Sequence, residues 1–265
     1  MPLIGAAIAP HSPLLLPSIG KGFQSQTKKT VRALTALAQE IYALRPQVIV
    51  VLHPHGPTHP GSFVVNVADQ LVANLSEFGD LVTAATWRGG PMLGHRLQER
   101  AEDQGFPLKL VSEATISYDV AVPLLFLPPN ITTAAILPIG PATLDRQTHV
   151  HCGTLLAEEF HQTRERIFVL ASAELSHHAS RAASGGQRPE GITFDQAVNK
   201  AIVKRTLAAQ LLALDLDHVE LAESCGYRPL LMLAGMLKYQ RTLARRLSYD
   251  SPFGIGLLVV TLHLA

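Results

Sequence analysis

Three apolar, strand-like runs in this chain each lead to histidine, the side chain best suited both to bind a metal and to move a proton near neutral pH. Residues 4–9 run into Pro10-His11, residues 48–52 into His53-Pro54-His55, and residues 167–171 lead to Glu174-Leu175-Ser176-His177-His178. The carboxyl ends of parallel strands form the ligand crevice of an open α/β sheet, so three such ends would deliver their imidazoles to one place. Two histidines and a carboxylate with open positions support non-haem Fe(II) and oxygen chemistry. Zinc would accept the same imidazoles.

His11 lies between Pro10 and Pro13, and proline stiffens the backbone on both sides of it. A histidine there can also merely cap a strand, and it is the joint occurrence at three strand ends that points to a site. His53 and His55 would share a face if the strand continued. Pro54 favours a turn, which sends one of the two, the one beyond the proline, into the crevice. Glu174 and His177, three residues apart, could act as an acid and base pair, or could be solvated groups at a helix start. For a third ligand, Glu223-Ser224-Cys225-Gly226-Tyr227-Arg228-Pro229 offers a carboxylate and a thiol just before an apolar helix, whose N-terminus favours an anion. A capping Glu and a buried structural Cys would look the same.

The elements that must position these groups follow from periodicity and punctuation. Strands are expected near residues 3–9, 47–53, 62–67, 108–111, 133–138, 166–172, 245–250 and 255–263. Helices are expected near 22–44, 91–105, 141–163, 194–213 and 226–239, with a proline-bounded apolar segment at 120–128. The polar, Gly-rich run 181–189 reads as a mobile loop and a candidate lid. Strands alternating with helices predict an α/β fold. A single domain over residues 1–265 would have a central, mostly parallel or mixed sheet, helices on both faces, and a metal crevice at the strand C-terminal ends.

With 47% hydrophobic and 16% charged residues in 265, the chain can bury one substantial core, yet no apolar run is long enough to span a bilayer. The excess apolar surface suits a sheet buried on both faces or a homodimer interface. A formal net charge of +1 with scattered basic residues gives no nucleic-acid stripe. Cys152 and Cys225 make no disulfide framework and no CxxC pair. The first residues lack a basic n-region, so they read as a strand, and a cytoplasmic location is expected. Neither a GxGxxG nor a GxxxxGK[ST] run is present, nor a GxSxG elbow, which leaves nucleotide binding and serine hydrolysis without support. The histidines at 59, 95, 149, 151, 161, 218 and 263 have no partner pattern and read as surface or structural.

Ala9-Pro10-His11-Ser12-Pro13-Leu14-Leu15, the run from Val50 to Pro57, Glu174-Leu175-Ser176-His177 and Cys225-Gly226-Tyr227-Arg228-Pro229-Leu230 together resemble the catalytic, LigB-like subunit of class III extradiol ring-cleavage dioxygenases. The fold-related Memo-like proteins share the resemblance. It implies a non-haem Fe(II) enzyme that cleaves a catechol-like or aminophenol-like aromatic with O2, with zinc or another divalent metal as alternatives and an accessory subunit as a possible partner. His11 and His55 match the first two metal ligands and His177 the catalytic histidine, with Glu174 orienting it. The third ligand matches Glu223 by the dioxygenase pattern or Cys225 by the Memo-like one. Ser117-Tyr118-Asp119-Val120-Ala121-Val122-Pro123-Leu124 stands where dioxygenases carry Asp-His-Gly before Val-Pro-Leu, so an active-site histidine is missing. Tyr118 is nearest its place, and Tyr118 and His53 are assigned to the substrate. The alternatives are a Memo-like metal-binding or interaction protein without ring cleavage, and a zinc-dependent hydrolase.

Overall fold

The valine- and isoleucine-rich runs form strands buried on both faces, as parallel sheets require. In the computed structural model, which describes residues 2–57, 59–128, 134–204 and 206–264, the elements run β1 (Leu3–Ala9), α1 (Gln24–Leu44), β2 (Val48–Leu52), β3 (Phe63–Asn66), β4 (Gln70–Ala73), β5 (Thr86–Arg88), α2 (Pro91–Asp103), β6 (Leu108–Val111), β7 (Thr115–Ile116) and α3 (Tyr118–Leu125). They continue with β8 (Ala135–Gly140), α4 (Arg146–Gln162), β9 (Ile167–Ser172), α5 (Pro189–Lys204), α6 (Leu207–Ala213), α7 (Leu216–Ala222), α8 (Tyr227–Met236), β10 (Thr242–Asp250) and β11 (Leu257–Leu264).

Among the described residues eight strands form one mixed sheet in the order β10-β11-β1-β9-β2-β8-β3-β6. β1, β9, β2 and β8 are mutually parallel neighbours, while β11 and β3 run antiparallel to this block. Alternate side chains of β2 face two separate cores. Val48, Val50 and Leu52 pack with apolar residues of α2, α4, α5 and α8, whereas Ile49 and Val51 pack with α1, α3 and the small sheet β5-β4-β7. This is the expected α/β domain with helices on both faces. Among the described residues no helix is long and apolar enough to cross a membrane.

α4 and α8 cross in backbone contact: a Cβ at Gly153 would stand 1.9 Å from the Met232 carbonyl oxygen, and one at Gly235 would stand 1.9 Å from that of Val150. α8 is thereby seated on α4.

Several elements depart from expectation. The helix expected at 194–213 is two helices, α5 and α6, and α7 follows where none was expected, started by the Asp215 carboxylate accepting from Asp217 N–H at 2.8 Å. β4, β5 and β7, of two to four residues, are too short for alternation to reveal. The proline-bounded segment forms α3, with Pro123 inside it. Residue 133 of one expected strand and residue 205 of one expected helix lie outside the described residues.

Candidate metal centre

The order β1-β9-β2 sets the three histidine-bearing strand ends side by side. Ala9 pairs with Ser172, and Leu52 with Ala171, so the chains leave the sheet at one level. His11 follows β1, His55 follows β2, and Glu174 and His177 follow β9. The fourth contributor arrives from α8. Gly226 N–H donates to the Glu174 carbonyl at 2.9 Å, and the Ser224 hydroxyl donates to the same oxygen at 3.1 Å. A Cβ at position 226 would sit 2.5 Å from that oxygen, so only glycine lets the Cys225 segment approach β9's end.

One donor atom from each of His11, His55 and Cys225 lies within 4.8 Å of the others, and the same holds for Glu174, His177 and Cys225. Cys225 Sγ stands 3.4 Å from His11 Nε2, and Glu174 Oε2 stands 3.9 Å from His11 Nε2 and 3.6 Å from His177 Nε2. Glu174 Oε1 and His177 Nε2 are buried without a hydrogen-bond partner. Two imidazoles, a thiol and an uncommitted carboxylate oxygen converging in this way suit a divalent cation, which would satisfy the unpaired Glu174 oxygen.

The orientation of His11 traces back to a proline. Pro123 has no N–H to donate to the carbonyl four residues earlier, that of Asp119. The Ser172 hydroxyl donates to this freed oxygen at 2.5 Å. Its proton is then committed, so the 2.9 Å contact between Ser172 Oγ and His11 Nδ1 has the imidazole N–H donating. The tautomer with Nδ1 protonated leaves the Nε2 lone pair facing the thiol and Glu174, as a metal ligand needs.

The Asp119 side chain holds the second histidine. It is fully buried; Oδ2 accepts from His55 N–H at 2.7 Å and lies 3.2 Å from His53 Nδ1, and Oδ1 accepts from the Ser117 hydroxyl. Burial alone would raise its pKa, but the His53 imidazole holds the carboxyl well below the usual carboxylate range. Burial lowers the His55 pKa, favouring the neutral ligand form. Burial, and then the Glu174 charge, push the Cys225 thiol up, so it ionises only against a nearby cation. Glu174 is lowered despite burial, chiefly by His11.

Tyr118 stacks on His55 with ring centroids 5.4 Å apart and 25° between planes, and Phe78 meets Tyr118 edge-on at 5.0 Å. These rings form an aromatic wall beside the cluster. His53 is placed differently from its expected substrate role: it is buried on the far side of Asp119 and serves as the carboxylate's partner. Glu223 is likewise outside both donor groups. It ends α7 in a left-handed conformation (φ 51°), which turns its exposed carboxylate to Arg188 at 2.9 Å and His178 at 3.2 Å. Cys225, two residues on, faces the histidines instead.

The run 181–189, expected to be mobile, is fastened at several points. Gly186 O receives His178 Nδ1–H at 2.7 Å, Ser180 Oγ donates to Ser251 O at 2.8 Å, and Arg188 grips Glu223. Asp119, Ser172 and Pro123 are the positioning residues that spacing alone did not single out.

Asp195 of α5 fixes the Glu174–His178 segment from behind, accepting from Ser176 N–H at 2.8 Å and pairing with the Tyr249 hydroxyl at 2.6 Å. Burial pushes its pKa up to about 6. Between the unfolded value and this one the native state holds a proton that the unfolded chain has released, so stability is full at low pH and falls as pH rises through the window. The loss is about 3 kcal/mol. Asp195→Asn keeps an acceptor for Ser176, so urea unfolding from pH 4 to 7 is expected to show the fall in wild type and its absence in the variant. Parallel profiles would contradict this.

A cavity of about 760 Å³, within the range of small-molecule sites, opens beside the cluster and is lined by His55, Cys225, Leu144, His149 and Leu231, among others. A larger groove between α1 and β10 lies away from all of these groups.

Comparison with known proteins matches residues 5–260 to the family model described as the catalytic LigB subunit of aromatic ring-opening dioxygenase. Protein CA_C1420 of Clostridium acetobutylicum is 23% identical over 272 residues, an alignment that takes in 99% of this chain and 58% of that protein. The chain thus spans little more than half of that relative. The crystal structure of an uncharacterized protein, JW3007 of Escherichia coli K12, superposes with a TM-score of 0.68 at 18% identity, over 97% of this chain and 99% of that one. This last likeness shows the fold alone.

Proposed function

Because the chain belongs to the family of the catalytic LigB subunit of aromatic ring-opening dioxygenases, we propose that it is a non-haem Fe(II)-dependent extradiol dioxygenase acting on a catechol-like or aminophenol-like aromatic. The observation that carries this reading is the meeting of His11, His55 and Cys225 within 4.8 Å, beside His177, at three adjacent strand ends. His11 and Cys225 would hold the cation through Nε2 and Sγ, together with a ring nitrogen of His55. Glu174 Oε1 supplies a further uncommitted negative oxygen. When bound, Fe(II) supplies a Lewis acid for the substrate's hydroxyl and brings substrate and O2 together.

The remaining work falls to the protein's own groups. His177 is the best placed proton carrier, because its Nε2 has no hydrogen-bond partner and lies beside Glu174 and Cys225 while the side chain as a whole is half-buried. It takes the substrate hydroxyl's proton at Nε2 and returns it later in the cycle. Glu174 Oε2, 3.6 Å away, stabilises the imidazolium in between. The Tyr118 ring offers a flat surface for the aromatic substrate.

A second reading is favoured by one observation: the thiol of Cys225, and not the carboxylate of Glu223, joins the two histidines. A thiolate ligand suits zinc as well. That supports a Memo-like metal-binding protein without ring cleavage, or a zinc-dependent hydrolase.

Anaerobic Fe(II) reconstitution followed by O2-electrode traces with catechols and aminophenols separates these readings. Metal-dependent O2 uptake with a new yellow chromophore is expected in wild type, with both lost in His11→Ala. Stoichiometric metal binding without O2 uptake on any substrate would favour the Memo-like reading, and a colourless zinc-loaded protein with esterase or amidase activity would favour the hydrolase.

A further inference from the structure

The groove between α1 and β10, remote from the metal cluster, has a volume of about 1030 Å³. One wall is a face of α1 carrying Lys28, Lys29, Arg32 and Ala33; the other is the end of β10, with Leu247 and Asp250. Lys29 ties the walls together, donating to Tyr249 O at 2.9 Å and to Asp250 Oδ1 at 3.1 Å. Lys28 and Arg32 are exposed and have no carboxylate partner among the described residues. On β10 itself Arg245 is taken by Glu40, whereas Arg246 meets the neutral Asn199 at 3.0 Å.

Two features of this groove are unfavourable in the chain alone. α1 starts without a side-chain cap and without an acid in its first turn, and residues 24–39 hold three cations and no anion. The helix's positive end and these cations repel one another. β10, nine residues long, is the end strand of the eight-stranded sheet and pairs, among the described residues, with β11 alone. Its other edge presents main-chain donors and acceptors with no strand to meet them. The register shift between Arg246 and Ser248 marks a bulge, which turns Leu247 toward the apolar cluster beneath α1.

We propose that this groove takes an acidic, extended segment of a partner protein as an added strand, its main chain paired along the free edge of β10 and its carboxylates on Lys28 and Arg32. A sheet edge supplies such a segment with hydrogen bonds, and a neighbouring groove supplies places for its alternate side chains. The small side chains of Ala33 and Ala36 leave space beside Leu247 for an apolar one. The same charge counts against a second copy of the chain, because two β10 edges laid together would set one basic surface against another. Nucleic acid would meet the cations and leave the strand edge unpaired.

A labelled decapeptide of alternating Glu and Val tests this, with its Lys and Val counterpart and an oligothymidylate as controls. The acidic peptide is expected to bind with a Kd below about 1 mM, and the basic one not to bind. Reversing both charges, Lys28→Glu with Arg32→Glu, is expected to weaken binding by about tenfold or more. Both side chains are exposed, and unchanged zinc binding checks that the variant is folded. Hydrogen exchange of the β10 amides is expected to slow when the peptide binds. No binding at about 1 mM overturns the proposal. So does binding that leaves exchange in β10 unchanged, or an oligothymidylate that binds as well as the peptide, since either makes the groove a surface for any polyanion. A dimer in sedimentation, with β10 protected before peptide is added, would assign the edge to a second copy and overturn it too.

Discussion

Asp119→Ala is expected to destabilise the metal-free protein by about 3 kcal/mol and to weaken zinc or cobalt binding by about 10- to 100-fold. The carboxylate removed is fully buried and serves three groups at once: His55 N–H, the His53 ring and the Ser117 hydroxyl. Each is left buried or half-buried without its acceptor. The main-chain carbonyl of residue 119 survives the substitution, so Ser172 and His11 keep their arrangement, and the damage falls on the His55 branch. Asp119→Asn retains an acceptor and should lose less on both counts. Urea unfolding and competitive metal titration read the two effects. A loss below about 1 kcal/mol with unchanged metal affinity would refute this role.

His177→Ala in the Fe(II)-loaded protein is expected to reduce ring-cleavage turnover by about a hundredfold or more while leaving one metal per chain. The reasoning is geometric. His177 Nε2 has no hydrogen-bond partner, stands 3.6 Å from Glu174 Oε2, and lies outside the group formed by His11, His55 and Cys225. Turnover that survives intact would remove its proton-carrying role. Turnover lost together with the metal would instead make it a ligand, in the second donor group with Glu174 and Cys225.

The strands that carry the site were legible because a strand buried on both faces is written as an uninterrupted apolar run, and β1, β2 and β9 each are one. Their adjacency was not legible, since nothing local to residues 9, 52 and 172 states that β9 inserts between β1 and β2. The placement of Asp119 depends on that adjacency. Its local signal was nonetheless present, as a proline four residues after an acid on an apolar helix frees one carbonyl for a non-helical partner. The choice between Glu223 and Cys225 was beyond sequence reasoning for another reason. Two residues separate them, and the left-handed turn at Glu223 sends their side chains in different directions. Short pairings such as β4 with β7 depend on neighbours distant along the chain, so periodicity is silent about them.

The hydrogen bond between His11 and Ser172 closes a span of 161 residues, and the contact between His11 and Cys225 closes one of 214. Loops of this length must all be shut before the donor atoms meet, so no early folding species presents a complete site. A cation that recognises only the finished arrangement stabilises the native state over both the unfolded chain and the folding barrier. Its influence therefore belongs to lifetime more than to assembly: loading slows escape from the native state and leaves the rate of reaching it nearly untouched.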